Sequence, residues 1–514
     1  MAGRTSLRWP LLCALIAVLV HWRASGNEFA LDDVRLVESN PAIDSLAHLP
    51  RLFVEPYWNI AGENYGLYRP LTVASFAVNR AILGAGPFGF HLLNVFLHAA
   101  VAALVWLALK RAGTHYGTAL FGGCLFAVLP IHTEAVANIA GRAELLAALF
   151  VLAAWIAHRR ANEAELAAGR WQIGAAAFYL AAILSKESAI LAPLLFFADD
   201  LLRGREAAPR RGRLLIGYAT ACAVMLALRG FALGVHQSAA ATIPLDNPAA
   251  AAGFWPRVLT AVWVQLKYAL LCVAPGQLVS DYSFDAIPVA HSFADPRVLG
   301  GFAFLAALVA AAVWGFRHSR PVALAVIVWV VFFLPSANLL FPTGTIMAER
   351  LSYLPSLGVC LLIGHFGAAL AARQEPPGGG RARRIVVVTF AVALVSGFAV
   401  RTWARIPDWK NNLTLAIADV ATMPRSAKLQ AGAGMFLAEA GRGEEAEDHL
   451  RRAVAIYPEY AQMHYNLAVL LARRGARDEA AEHLRLAIEL APGNPMPRKL
   501  LDQLTRQEWG QVSP

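Results

Sequence analysis

Three groups of residues have the types and spacing for chemistry. Asp32 and Asp33 close the segment Asn27-Glu28-Phe29-Ala30-Leu31-Asp32-Asp33, shortly after the first apolar run. A carboxylate on a loop beside a membrane can act as general base towards a hydroxyl. Adjacent carboxylates repel, so one of the two is held partly protonated. A solvated charge pair or a helix cap would use the same residues, and spacing alone does not decide. The second group can grip an anion. Lys186 lies in Leu184-Ser185-Lys186-Glu187, and Arg350 and Tyr353 lie in Ala348-Glu349-Arg350-Leu351-Ser352-Tyr353-Leu354-Pro355. A Lys point charge, an Arg fork and a Tyr hydroxyl suit a phosphate. The competing reading is pairing of Lys186 with Glu187 and of Arg350 with Glu349, although sequence neighbours do not face each other on a helix. The third group is His132-Thr133-Glu134 with Asn138, Arg142 and Glu144. His132 and Glu134 would share a site only on an extended backbone. A structural or substrate-orienting role is therefore expected, and no metal site is assigned. Asp199-Asp200 is set apart, salt-bridged at the cytoplasmic end.

These residues must be carried by membrane helices. Of 514 residues, 58% are hydrophobic and only 16% are charged, against about a quarter in an average soluble protein. The mean hydropathy is +0.49. That excludes a soluble multi-domain enzyme and a disordered chain. The net charge of 45 − 35 = +10 needs no nucleic-acid partner, because Lys and Arg gather in cytoplasmic loops. The five cysteines lie in apolar runs without CxxC spacing, so they are read as core packing. Arg4 and Arg8 precede a run from Trp9 to Val20 that ends at His21, Trp22 and Arg23. It reads as an uncleaved first transmembrane helix. Further runs lie near 88–109, 116–131, 143–158, 213–235, 297–316, 321–341, 352–372 and 384–403. The arginines flanking 172–202 split that stretch into two short helices with Ser185-Lys186-Glu187 at the outer turn. The expectation is an all-α membrane bundle of about eleven helices over 1–403. Its large outer loops are 23–87 and 236–296, with 258–274 interfacial or re-entrant. An odd count leaves the carboxyl end outside.

The tail is different. Residues 376–384 read as a flexible cytoplasmic link, and 404–425 as a connecting helix or degenerate half-repeat. Beyond it Gly441 recurs as Gly475, Ala446 as Ala480, Leu450 as Leu484, Ala453 as Ala487 and Pro458 as Pro492, each 34 residues on. That is the tetratricopeptide period. It gives two repeats, about 426–459 and 460–493, and a capping helix at 496–508. Such repeats bind peptides or proteins on a concave face.

Taken together, the chain resembles the transmembrane-and-tetratricopeptide O-mannosyltransferases, of the C-type membrane glycosyltransferase (GT-C) fold, in a bacterial form. The matching pieces are Asp32-Asp33, Tyr68-Arg69-Pro70-Leu71, His91-Leu92-Leu93-Asn94 with His98, Pro130 to Val136, Gly141-Arg142-Ala143-Glu144, Leu184 to Glu187, Asp281-Tyr282-Ser283, Ala348 to Ser356 and Asp408-Trp409. The resemblance implies a lipid-linked sugar phosphate as donor and a first-loop acid, here Asp32 or Asp33, as catalytic group. It places Lys186, Arg350 and Tyr353 at the donor phosphate. Tyr68, Arg69, His91, His132, Glu134, Arg142 and Glu144 then orient substrate. The expected reaction moves mannose or a similar hexose from a polyprenyl phosphate to a Ser or Thr hydroxyl of a protein, with inversion. No other cofactor is implied, and a divalent-metal requirement is left open. The expected place is a bacterial inner membrane with a periplasmic site, or an endoplasmic-reticulum membrane with a lumenal one. The alternatives are the same chemistry on a lipid or glycan, and a non-enzymatic scaffold that binds proteins through its repeats.

Overall fold

The computed structural model describes residues 7–58, 66–164, 166–204, 210–234, 244–372 and 379–506. Arg4 lies outside them. Every regular element among them is helical. Seven helices are long and apolar enough to cross a membrane, or eight if the bent pair Tyr116–Val128 and Pro130–Ala137 is one span. Several further apolar helices, including Pro70–Leu83 and Ser356–Ala372, are shorter than a full span. Large apolar side chains such as Leu11, Ile216, Phe231, Val309 and Phe390 face outward, which suits contact with lipid.

Small residues set the closest helix contacts, as they do where lipid already solvates apolar side chains. A Cβ on Gly364 would meet the Thr118 carbonyl oxygen at 2.7 Å, and one on Gly122 would meet that of Cys360 at 3.2 Å. These glycines bring helix Tyr116–Val128 against helix Ser356–Ala372. Each helix has a short 3₁₀ segment next to it, Pro130–His132 after the first and Glu349–Ser352 before the second. Pro130 ends the first of these helices, because the residue before a proline avoids the helical region; Leu129 has ψ 122°. The chain then turns by 51°.

The stretch 172–202 is indeed two helices, Ala168–Ser185 and Ala192–Arg203, separated by an extended Lys186 and a 3₁₀ turn. The segment 23–87 is not merely a loop: it folds into short turns and helix Pro70–Leu83. Its apolar run is shorter than a span, so the sequence leaves it inside the outer loop. Helix Phe254–Val273 is long enough to span. Leu245 and Phe284, on either side of it, are hydrogen-bonded at 3.0 Å, so the segments that flank this helix meet. Of the expected flexible link, 376–378 lie outside the described residues, and from Gly379 the chain is already the helix Gly379–Arg405. At the opposite end of the bundle Asp199 pairs with Arg159 at 2.6 Å and Asp200 with His158 at 2.9 Å.

The tail forms helices Asn412–Thr422, Ala427–Glu439, Gly443–Ile456, Ala461–Arg474, Arg477–Leu490 and Pro495–Thr505. Residues 507–508 of the expected cap lie outside the described residues. The recurring Ala446, Leu450, Ala453, Ala480, Leu484 and Ala487 are all buried. Gly441 and Gly475 take φ of 75° and 88° at the helix turns, a conformation glycine adopts without steric cost. The tail is tied to the bundle. Lys428 reaches Asp246 at 2.8 Å and Asp281 at 3.2 Å, and Arg425 reaches Asp285 at 2.6 Å.

Candidate active site

Asp32 and Asp33 are neighbours with different surroundings. Asp33 is fully buried. It accepts backbone N–H bonds from Ala140 at 2.7 Å, Ile139 at 3.1 Å and Ala30 at 3.4 Å. Burial pushes its carboxyl up to about 7, against the pull of those three bonds. Asp33 thus pins the first loop to the 138–141 turn. That turn is built by Asn138, which caps Ala140 N–H at 2.9 Å. It is tight because a Cβ on Gly141 would lie 2.4 Å from the Ala135 carbonyl oxygen. Asp32 is half-buried. Among the described residues no hydrogen bond or ion pair holds it, while it lies within electrostatic reach of Arg350, Glu134 and Tyr57.

Beside Asp32 three cation–carboxylate pairs meet. Arg350 donates to Glu134 through its guanidinium, and its backbone N–H reaches Glu134 Oε2 at 2.8 Å. Lys186 pairs with Glu144. Arg69 Nε reaches Glu187 Oε2 at 2.8 Å. The sequence-neighbour pairs are therefore not the ones formed. Burial and the Arg69 and Arg350 charges push the Lys186 ammonium down, with the Glu187 and Glu134 carboxylates opposing them. The Glu187 side chain is half-exposed, and against the desolvation it does suffer the Arg69 guanidinium holds its carboxyl down to about 2. The Glu134 carboxylate, with Asp32 adding to it, holds the Arg350 guanidinium above its usual range against burial. Lys186 and Glu144 are almost fully enclosed, whereas the Arg350 side chain stays 34% exposed. Arg350 is thus the cation most open to an incoming anion. Helix Pro70–Leu83 completes this wall, with Thr72 donating to the Ser185 carbonyl at 2.9 Å.

Other expected site residues are placed elsewhere. Tyr353 is fully buried, its hydroxyl 2.7 Å from His98 Nδ1. It belongs to an aromatic core with Phe126, His98 and His132 and does not join Lys186 and Arg350. His132 and Glu134 lie on helical backbone and part company, as their spacing requires. His132 contacts the Phe126 carbonyl at 3.0 Å and Ser356 Oγ at 2.8 Å. Arg142 is buried between Phe76 and Phe90 and donates to Asn94 and Asn79. His91 reaches the Glu28 carbonyl at 3.1 Å, and Tyr68 donates to that of Phe53 at 2.7 Å. Arg142, His91 and Tyr68 thus brace the 23–87 segment. Two contributors are not assigned to the site from the sequence. Tyr57 lies under the Arg69 guanidinium at 5.0 Å. Glu349 is buried, accepts from Val279 N–H and Tyr282 Oη, and is pushed up to about 8. Tyr57 sits in no local pattern that marks it, and the sequence marks Glu349 only as a pairing partner for Arg350. Among the described residues no three His, Cys, Asp or Glu side chains converge as a metal site.

A family model described as "Protein O-mannosyl-transferase TMTC, DUF1736" matches residues 237–309, and a tetratricopeptide repeat model matches 432–495. The resemblance read from the sequence holds. The chain is 28% identical over 475 residues to protein O-mannosyl-transferase TMTC3 of Mus musculus, covering 87% of this chain and 50% of that one. It is 28% identical to protein O-mannosyl-transferase F38B6.6 of Caenorhabditis elegans, covering 88% and 64%. It is 29% identical to TMTC1 of Homo sapiens, covering 87% and 55%. The chain thus spans about half to two thirds of the length of these relatives. Among solved structures it is similar to ArnT from Cupriavidus metallidurans bound to undecaprenyl phosphate, with a TM-score of 0.41 and 15% identity over 89% of this chain and 81% of that one.

Proposed function

We propose that this chain is a membrane glycosyltransferase of the GT-C type that moves mannose or a similar hexose from a polyprenyl-phosphate donor to a Ser or Thr hydroxyl of a protein. One observation carries the reading. Asp32, a carboxylate that no hydrogen bond holds among the described residues, faces a cluster of cations, while its neighbour Asp33 is consumed by backbone N–H groups. The donor phosphate lies towards Arg350, with Lys186 and Arg69 behind it. Asp32 takes the hydroxyl proton as the oxygen attacks the anomeric carbon. The bond from that carbon to the phosphate oxygen breaks, the centre inverts, and the lipid phosphate leaves against the cations. Positioned proton transfer contributes roughly 10²–10⁴-fold, and in many enzymes electrostatic stabilisation of the charge that develops on a leaving group contributes more. The repeats hold an extended acceptor near the site, on the periplasmic side of an inner membrane or its lumenal counterpart.

The test is transfer by the purified protein from labelled polyprenyl-phosphate hexoses to Ser/Thr peptides, a lipid acceptor and a glycan acceptor. Peptide labelling that disappears in Asp32→Asn supports the reading. Labelling of the lipid or glycan alone changes the acceptor. No transfer to any acceptor favours a scaffold. A cysteine placed on the exposed face of helix Arg477–Leu490 reports the side of the tail through a membrane-impermeant thiol reagent.

A further inference from the structure

We infer that Asn412, in the first turn of the tail helix Asn412–Thr422, is a positioning residue for Asp32 and acts through the backbone of Leu31. This deepens the reading just proposed and rests on it. Leu31 immediately precedes Asp32 and has a φ of 52°. For a bulky residue that left-handed conformation is an outlier that surrounding structure must hold in place. The hold is visible. Leu31 N–H donates to Asn412 Oδ1 at 2.7 Å. Glu28 N–H donates to the Lys410 carbonyl at 2.8 Å, and Asn411 Nδ2 reaches Glu28 Oε2 at 3.2 Å. The turn that aims Asp32 is therefore closed on one side by Asp33 and on the other by the tail.

The tail helix is itself fixed. Asn411 and Thr414 form its capping box. Its Asp419 bridges Arg405 at 2.6 Å and Ser280 N–H at 2.7 Å. The connecting helix is thus part of the machinery that orients the base as well as a tether for the repeats.

The experiment measures transfer kinetics and amide exchange at Leu31 in full-length Asn412→Ala, Asn412→Asp and the pair Leu31→Gly with Asn412→Ala. Asn412→Ala should lower kcat roughly two- to tenfold, the equivalent of one neutral hydrogen bond, with donor KM and melting temperature unchanged and Leu31 exchange faster. Asn412→Asp keeps the acceptor oxygen and should restore kcat. Leu31→Gly accepts positive φ without steric cost and should recover part of the loss. Wild-type kcat and slow exchange in Asn412→Ala would overturn the inference, as would an Asn412→Asp variant as slow as the alanine. Absence of transfer in the wild type would instead overturn the functional reading, and the exchange measurement would still report on the Leu31 hold.

Discussion

Replacing Asp32 and Asp33 by alanine, one at a time, separates a base from an anchor. Asp33→Ala removes the acceptor of three N–H groups. Ala140 keeps the Asn138 side chain as a second acceptor, so Ala30 and Ile139 are left without one. A buried donor left unpaired costs about 1–3 kcal/mol, which gives about 2–6 kcal/mol for the two. That is a large part of the net stability of a typical domain, and the loop carrying Asp32 would detach from the 138–141 turn. Asp32→Ala breaks no hydrogen bond among the described residues, so its stability change should stay within about 0.5 kcal/mol. Its rate should fall by roughly 10²–10⁴ from loss of proton transfer. Thermal unfolding in detergent and initial transfer rates are measured on the same preparations. Asp33→Ala should melt early, and its rate loss should be partly regained at low temperature. Asp32→Ala should melt like wild type and stay inactive at every temperature. The reasoning fails if Asp32→Ala destabilises as much as Asp33→Ala, or if it transfers sugar at the wild-type rate.

Two further outcomes follow from buried groups near the site. Glu349 ordinarily titrates near 4.5 and is pushed up to about 8 by burial and by Glu134, with Arg405 opposing. A raised folded value means that its contribution to stability is complete below pH 4.5 and lost as pH climbs through 8. Glu349→Gln should therefore flatten the decline of melting temperature across that window, and parallel curves for variant and wild type would contradict the assignment. Tyr353→Phe leaves His98 Nδ1 without its hydroxyl donor, at a cost of about 1–3 kcal/mol. It should lower the melting temperature and leave donor KM unchanged; a raised donor KM would return Tyr353 to the phosphate site.

What the sequence determined is what periodicity and composition encode locally. The apolar runs, the break at Lys186, the 34-residue recurrence and the two aspartates were all legible, because each rests on neighbours close in the chain. So was the distinction between Asp199-Asp200 and the first acidic pair, since flanking arginines mark the opposite end. Partner choice was not legible. Arg350 with Glu134, Lys186 with Glu144 and Arg69 with Glu187 join residues far apart in sequence, the first pair flanking the two helices that Gly122 and Gly364 bring together. The same holds for Tyr353. Tyr353 lies only three residues from Arg350, yet its hydroxyl meets His98 in the aromatic core while the Arg350 guanidinium meets Glu134 in the cluster, because the partners that distant helices bring to each side chain differ. Only the tertiary structure separated Asp32 from Asp33, because what distinguishes two adjacent carboxylates is which backbone N–H groups come to meet them. Those groups, at Ile139 and Ala140, belong to a turn more than a hundred residues away.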